Sequence, residues 1–228
     1  MCSIILNLTP TATFIAANRD ELITRPWSPP AAYWPEYPGI IAGRDETAGG
    51  TWMGLNAHGV MAAVLNRHGS LGPAPGKRSR GELPLLALSE PNAALAAAKI
   101  AALDAGAYRS FNLVAADAHG AYLVRGLGSA TPDVTELPPG ITMITAGEPN
   151  DIAEPRIARH LPKFRAAPWE DWATLLADNT PPLTSALNIP PQNGFGTVCA
   201  ALVALAQSAA PVWHFAAGRP GEAAFIRV

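Results

Sequence analysis

Cysteine is nearly absent: Cys2 and Cys199 are the only two in 228 residues. Two thiols cannot build a disulfide framework or a four-ligand zinc site, which excludes secreted miniproteins and metal-stapled folds. Charge is scarce as well. Asp, Glu, Lys and Arg make up 15% of the chain, and 16 basic against 18 acidic residues leave a net charge of -2. No basic stretch offers the electrostatic footprint of a nucleic-acid or anionic-lipid binder. Uninterrupted apolar runs fall far short of the roughly 18 residues a membrane span needs. The start, MCSIILNLTP, lacks the charged and long apolar regions of a signal peptide. No phosphate-cradling glycine loop or dinucleotide fingerprint occurs, and no repeat is evident at roughly 20–50-residue periods. Lysine appears only three times against 13 arginines and 44 alanines, a skew that reads as genomic coding bias.

What remains is a chain 49% apolar, which excludes wholesale disorder. It is long enough to bury a core without staples as one domain, or at most two small ones. The expectation is a single domain over 1–228, in a soluble protein of a reducing, cytoplasmic compartment.

Short β-rich runs separated by glycine and proline breaks dominate the pattern. Ser3 to Leu6 and Thr13 to Ala17 are read as a hairpin across Thr9-Pro10-Thr11. Residues 25–38 hold five prolines and four aromatics, which predicts an ordered loop instead of a helix or central strand. Thr51 to Asn56 and Val60 to Asn66 flank an Ala57-His58-Gly59 turn, and residues 69–79 have a mobile-loop composition. Ser79, with Glu82 at the capping-box position, predicts a helix over 80–88. A second, alanine-rich helix is expected to start at Ser89-Glu90-Pro91 and reach about Asp104. Phe111 to Ala116 and Ala121 to Arg125 form a hairpin, and Val134 to Leu137 and Ile141 to Ala146 are expected to form another. Helical apolar spacing covers 152–164 and 169–177. Strands return at 196–205, 212–217 and 223–228. Strands, then helices, then strands, with hairpins throughout, predict an α+β fold with mainly antiparallel sheets.

Cys2 carries the most chemical information. Removal of Met1, which a small second residue permits, would leave a thiol and a free α-amine on one residue. Their reference pKa values lie near 8.5 and 8, so one residue would hold both nucleophile and base. The bland alternative is that the second residue happens to be Cys. Asn18-Arg19-Asp20-Glu21 follows the second strand, whose far end returns near Cys2 in a hairpin. It offers a carboxylate for the amine, a guanidinium for an anionic group and an amide donor; nearby cationic charge would favour thiolate. A solvated turn with an Arg–carboxylate pair is the competing reading.

MCSIILN at 1–7, AANRDE at 16–21, GGTWMGLNAHG at 49–59, LNR at 65–67, RGEL at 80–83 and FGT at 195–197 occur in this order. Together they resemble the NRDE family, which includes the transport-and-Golgi-organisation-2-like proteins and is named for the tetrapeptide at 18–21. The resemblance extends across most of the chain. It implies the N-terminal-nucleophile hydrolase fold, a four-layer αββα sandwich with two antiparallel sheets face to face and helices outside. In the related cysteine acylases the second-position Cys is unmasked and attacks a non-peptide amide. An Asp after the second strand binds the α-amine, and an Asn ending a later strand helps form the oxyanion hole. Asp20 and Asn66 match these two positions, with Asn18 and Arg19 as neighbours of the nucleophile. Trp52, Glu21 and Arg67 are expected to contact substrate.

Three positions depart from the pattern. Ala17 stands where the acylases have Arg. Gly196-Thr197-Val198-Cys199-Ala200 replaces a Gly-Thr-Arg-Ser-Ser-type segment. Thr145 to Asn150 replaces a Ser-Asn-type turn, which makes Asn150 a candidate second oxyanion donor.

The resemblance thus implies a hydrolase of linear carbon–nitrogen amide bonds, needing no cofactor or metal. The alternative is a non-catalytic carrier for haem or another hydrophobic ligand, since animal relatives are associated with secretory-pathway organisation and haem trafficking. A carrier would need an axial ligand, Cys2 or a His, and an apolar cleft. The expected partner is a small-molecule amide or hydrophobic ligand, not nucleic acid, and a homo-oligomer is compatible with either reading. The other candidates weigh toward structure. Cys199 lies in an apolar run and reads as a core residue. His58 and His119 sit in solvated X-His-Gly turns, and His68 and His214 lack a spaced metal-binding partner. Trp27, Tyr33 and Trp34, like Trp52, could wall an apolar pocket or pack under the proline-rich segment.

Overall fold

Short apolar runs broken by turns produce, among the residues 2–228 that the computed structural model describes, thirteen strands and four α-helices. The first strands are β1 (Ser3–Leu8), β2 (Ala12–Leu22), β3 (Trp27–Ala31), β4 (Ile41–Asp45), β5 (Met53–Leu55) and β6 (Met61–Asn66). Helices α1 (Glu82–Leu88) and α2 (Ala93–Ala101) precede β7 (Phe111–Ala116), β8 (Ala121–Gly126), β9 (Asp133–Glu136) and β10 (Gly140–Ile144). Then come α3 (Pro155–Ala166), α4 (Trp172–Leu176), β11 (Phe195–Ala206), β12 (Val212–Ala216) and β13 (Phe225–Arg227). The class is α+β with two antiparallel sheets. The chain divides into two compact units, one up to Thr24 together with Pro138–Val228, the other Arg25–Leu137.

The first unit holds a six-stranded sheet in the order β10-β1-β2-β11-β12-β13. Its β1–β2 turn is closed by Thr9, whose hydroxyl donates to the Ala12 carbonyl at 2.8 Å and accepts from the Ala12 N–H at 3.1 Å. Strand β2 pairs along its whole length with β11, interrupted by a bulge between Thr197 and Cys199. One face of this sheet receives α3 and α4. Ile157, Leu161 and Phe164 of α3 and Trp172 and Leu176 of α4 are buried against Ile5, Ala16, Met143, Ala200 and Ala216. Alanines at the sheet positions leave room for the aromatic rings. Phe164 and Trp172 meet edge to face at 4.9 Å, a geometry worth about 0.5–1.5 kcal/mol beyond area burial.

The second unit is a seven-stranded meander, β3 to β9 in sequence order. Helices α1 and α2, inserted between β6 and β7, bury Leu83, Leu88, Ala96 and Ile100 against Val60, Ala62, Leu113 and Val124. Asn56 fixes the β5–β6 turn: its side-chain oxygen accepts from the N–H groups of His58 and Val60, and its amide donates to Leu88 and Glu90 carbonyls. Gly59 adopts φ +80° in that turn, a left-handed conformation that suits glycine.

Several expectations are corrected. The 134–137 and 141–146 runs do not pair; β9 joins β8 in one sheet and β10 joins β1 in the other. The Pro138-Pro139-Gly140 break is the passage between the two units. The proline-rich segment contains an edge strand, β3, which tolerates Pro29 and Pro30 through an irregularity between Ser28 and Ala31. A further strand, β4, lies at Ile41–Asp45, where none was expected. Helix α1 starts at Glu82 with no side-chain cap, because Ser79 accepts from the Gly81 N–H and Glu82 pairs with Arg78. Helix α2 is capped by Asn92, which accepts from the Leu95 N–H at 2.9 Å. No described helix is long and apolar enough to cross a membrane.

Candidate active site

Strand β2 runs on to Leu22, so Asn18, Arg19 and Asp20 lie inside a strand and their side chains alternate between its two faces. The tetrapeptide is therefore not one polar cluster. Arg19 and Glu21 share one face and pair at 3.6 Å, with the Arg19 side chain only 6% exposed. Cys199 of β11 lies directly opposite Arg19. The Ser3–Asn18 pairing brings Cys2 beside Arg19 from the other side. Cys2 is half-buried and its thiol donates to the Asp20 main-chain carbonyl at 3.6 Å. Burial, then the Asp20 negative charge, push the Cys2 thiol above its ordinary pKa, while the bond to the Asp20 carbonyl and the Arg19 guanidinium act the other way. Burial pushes the Cys199 thiol far up as well, as suits a core residue that is 1% exposed.

The opposite face, toward α3 and α4, holds the Asp20 carboxylate. Oδ1 accepts from the Thr197 hydroxyl at 2.6 Å, and Oδ2 accepts from Arg156 Nη1 at 2.9 Å. Arg156 Nη1 also donates to the Ser3 hydroxyl at 2.9 Å. The ion pair is buried, with side-chain exposures of 8% for Arg156 and 0% for Asp20. Thr197 is itself anchored by accepting the Ile189 N–H at 2.8 Å. Asn18 is spent on structure: its amide donates to the carbonyls of Leu176 and Leu187, both at 3.0 Å. It ties the strand to the end of α4 and the segment after it.

Arg156 and Thr197 are site residues that sequence reasoning missed. A signal existed for Arg156. It stands on the apolar stripe of α3, beside Ile157 and one turn before His160, and an arginine there requires a buried partner.

Three of the remaining expected residues, Asn66, Arg67 and Trp52, belong to the second unit. Asn66 closes β6 opposite Phe111 and is half-buried. Arg67 follows and donates to the Asn112 side-chain oxygen at 2.7 Å. The Trp52 ring meets Trp27 edge-on at 5.7 Å and covers Gly43, where a Cβ would come within 2.4 Å of the indole. Asn150, in the first unit, has φ +56° and turns its side chain onto the edge of β10. It accepts from Met143 N–H at 2.8 Å and donates to the Ile141 carbonyl at 3.3 Å. Met1 lies outside the described residues, and with it the question of its removal.

Solved structures identify the fold. The chain is similar to the Caenorhabditis elegans N-acylethanolamine-hydrolyzing acid amidase ortholog, with TM-score 0.63 and 11% identity over 89% of this chain and 92% of that one. It is also similar to penicillin V acylase from Agrobacterium tumefaciens, with TM-score 0.58 and 13% identity over 95% of this chain and 83% of that one. The fold is that of the N-terminal-nucleophile hydrolases. Residues 1–174 match the transport and Golgi organisation 2 family, and the chain belongs to it. The mouse transport and Golgi organization 2 homolog is 37% identical over 108 residues, 45% of this chain and 38% of the relative. The human homolog is 35% identical over 134 residues, 55% of this chain and 47% of the relative. The matched region thus spans less than half the length of either.

Proposed function

We propose that this protein is an N-terminal cysteine hydrolase of a small-molecule, non-peptide amide or related acyl bond, with Met1 removed to unmask Cys2. The thiol adds to the carbonyl carbon and its proton passes to the residue's own α-amine. The tetrahedral oxyanion collapses, the carbon–nitrogen bond breaks, and the α-ammonium returns the proton to the leaving amine. Water then hydrolyses the thioester with the α-amine as base, releasing the acid and the thiol. Asp20 holds the amine. Asn66 enters as an oxyanion donor through the motif it matches, a role worth about 2.7–4 kcal/mol.

One observation carries this reading: a half-buried thiol at the start of β1, pushed above its ordinary pKa, against the residue that also supplies a buried carboxylate. Such a thiol stays protonated near neutral pH and needs a base within reach, and an unmasked Cys2 carries one. Hydrolysis of a panel of fluorogenic N-acyl amides should fall by at least about 10³-fold in Cys2→Ala, with melting unchanged. Full activity in that variant would defeat the assignment.

A further inference from the structure

A carboxylate with no exposed surface must be paired, and Asp20 is paired from α3. The segment Gly196–Ala200 on β11 contains no arginine, so the guanidinium on this carboxylate comes from Arg156. One nitrogen of Arg156 reaches both Asp20 Oδ2 and the hydroxyl of Ser3, each at 2.9 Å. Ser3 is the residue bonded to Cys2. A single cation therefore holds the next link of the chain and the carboxylate on which the Cys2 amine depends. The rotamer of that carboxylate is set from its other side by Thr197 at 2.6 Å.

We infer that Arg156 is a positioning residue for the Cys2 nucleophile, acting through Ser3 and Asp20 and keeping the α-amine in its free-base form near neutral pH. The inference rests on the reading of Cys2 as an N-terminal nucleophile. An uncompensated Asp20 carboxylate would favour the ammonium form, which cannot accept the thiol proton. The Arg156 charge offsets that carboxylate, and at short range in a buried setting such a charge moves a neighbouring titration by about one to three pH units. Among the described residues the neighbouring charged and titratable groups include Arg19 and Glu21 on β2, the Cys199 thiol on β11 and Glu154 at the N-cap of α3, whose carboxylate lies against Gly147 just past β10. Strand β10, on the far side of β1, has no titratable side chain. Arg156 touches no reacting atom; it sets where the proton rests.

The test titrates the Cys2 α-amine directly. With the Cys2 thiol first capped as a methyl disulfide, so that no acyl group can pass from sulfur to nitrogen, acylation by acetic anhydride is followed between about pH 5 and pH 9 by peptide mass spectrometry. In Arg156→Met the midpoint is expected to rise by about one pH unit, whereas Arg156→Lys, which keeps the charge, stays nearer the parent. Should Arg156→Met not fold, Asp20→Asn and Asp20→Asn/Arg156→Met read the same guanidinium without a bare buried carboxylate. The midpoint must rise from the first to the second. An unchanged midpoint in a folded variant lacking the guanidinium overturns the inference and leaves the nucleophile standing. A parent protein that still carries Met1 has no Cys2 amine to acylate and defeats the hydrolase reading itself.

Discussion

The two units bury different kinds of polar side chain. In the meander unit the buried polar residues are Thr51, Asn56, Ser70 and Asn112, all neutral, and they lock turns and strand ends. In the other unit the buried set includes Arg19, Asp20, Arg156 and His160, and among the described residues every buried Asp, Arg and His lies there. Both units solve the same packing problem, an antiparallel sheet with helices against one face. One does it with amides and hydroxyls alone. A buried charge is costly even when paired, and a well-packed apolar pair of similar volume often serves stability as well or better. The Asp20–Arg156 pair, set against Ser3, is thus poorly explained by packing, and the proposed chemistry of Cys2 gives it a role.

Substitutions can break this contrast, and the largest effect belongs to the thiols. Cys2→Ala should abolish turnover at unchanged stability, whereas Cys199→Ala should keep turnover and cost about 1 kcal/mol of stability as a small core truncation. Kinetics on an amide substrate and denaturant melts separate the two. Arg156→Ala leaves a buried carboxylate without its cation and should cost about 3–5 kcal/mol in urea unfolding. Asn56→Ala in the neutral unit strips hydrogen bonds but no charge and should cost about 1–3 kcal/mol, with turnover retained. If the two losses were reversed, the distinction between the units would fail.

The smallest effect concerns His160. Its Nε2–H donates to the Ser185 carbonyl at 2.9 Å, and burial holds its pKa down at about 4 despite that bond. The unfolded chain, with a His pKa near 6.5, binds more protons than the folded one between these values. Stability from this group is complete above about pH 6.5 and is lost as pH falls toward 4. The melting temperature should therefore drop between about pH 6.5 and pH 5, and His160→Gln should flatten that drop. An equal drop in the variant would assign it to other groups.

Much of the fold is legible in the sequence because hairpins announce themselves locally. The apolar-rich runs Phe111–Ala116 and Ala121–Gly126, with Asp117 accepting from the His119 and Gly120 N–H groups at the turn, mark both strands to within a residue. Strand partners are less legible. Pro138-Pro139-Gly140 encodes a break, but nothing local says that β9 is a fully exposed edge while β10 pairs with β1, from Leu8 with Gly140 to Ile4 with Ile144, partners more than half the chain apart. The site divides in the same way. Cys2 and the Asn18–Glu21 segment are visible in sequence, whereas the extension of β2 to Leu22 is not, and that extension separates Arg19 from Asp20. Arg156 comes from a helix 136 residues from its partner, a pairing that only tertiary packing reveals.

A hydrolase of this kind presents a free amine and a free thiol on one residue. Intact mass of the protein as expressed, combined with capture by 2-cyanobenzothiazole, which condenses with a terminal 1,2-aminothiol, tests it most directly. The expected result is a chain lighter by one methionine that takes up the probe at Cys2. A chain that retains Met1 and does not react would contradict it.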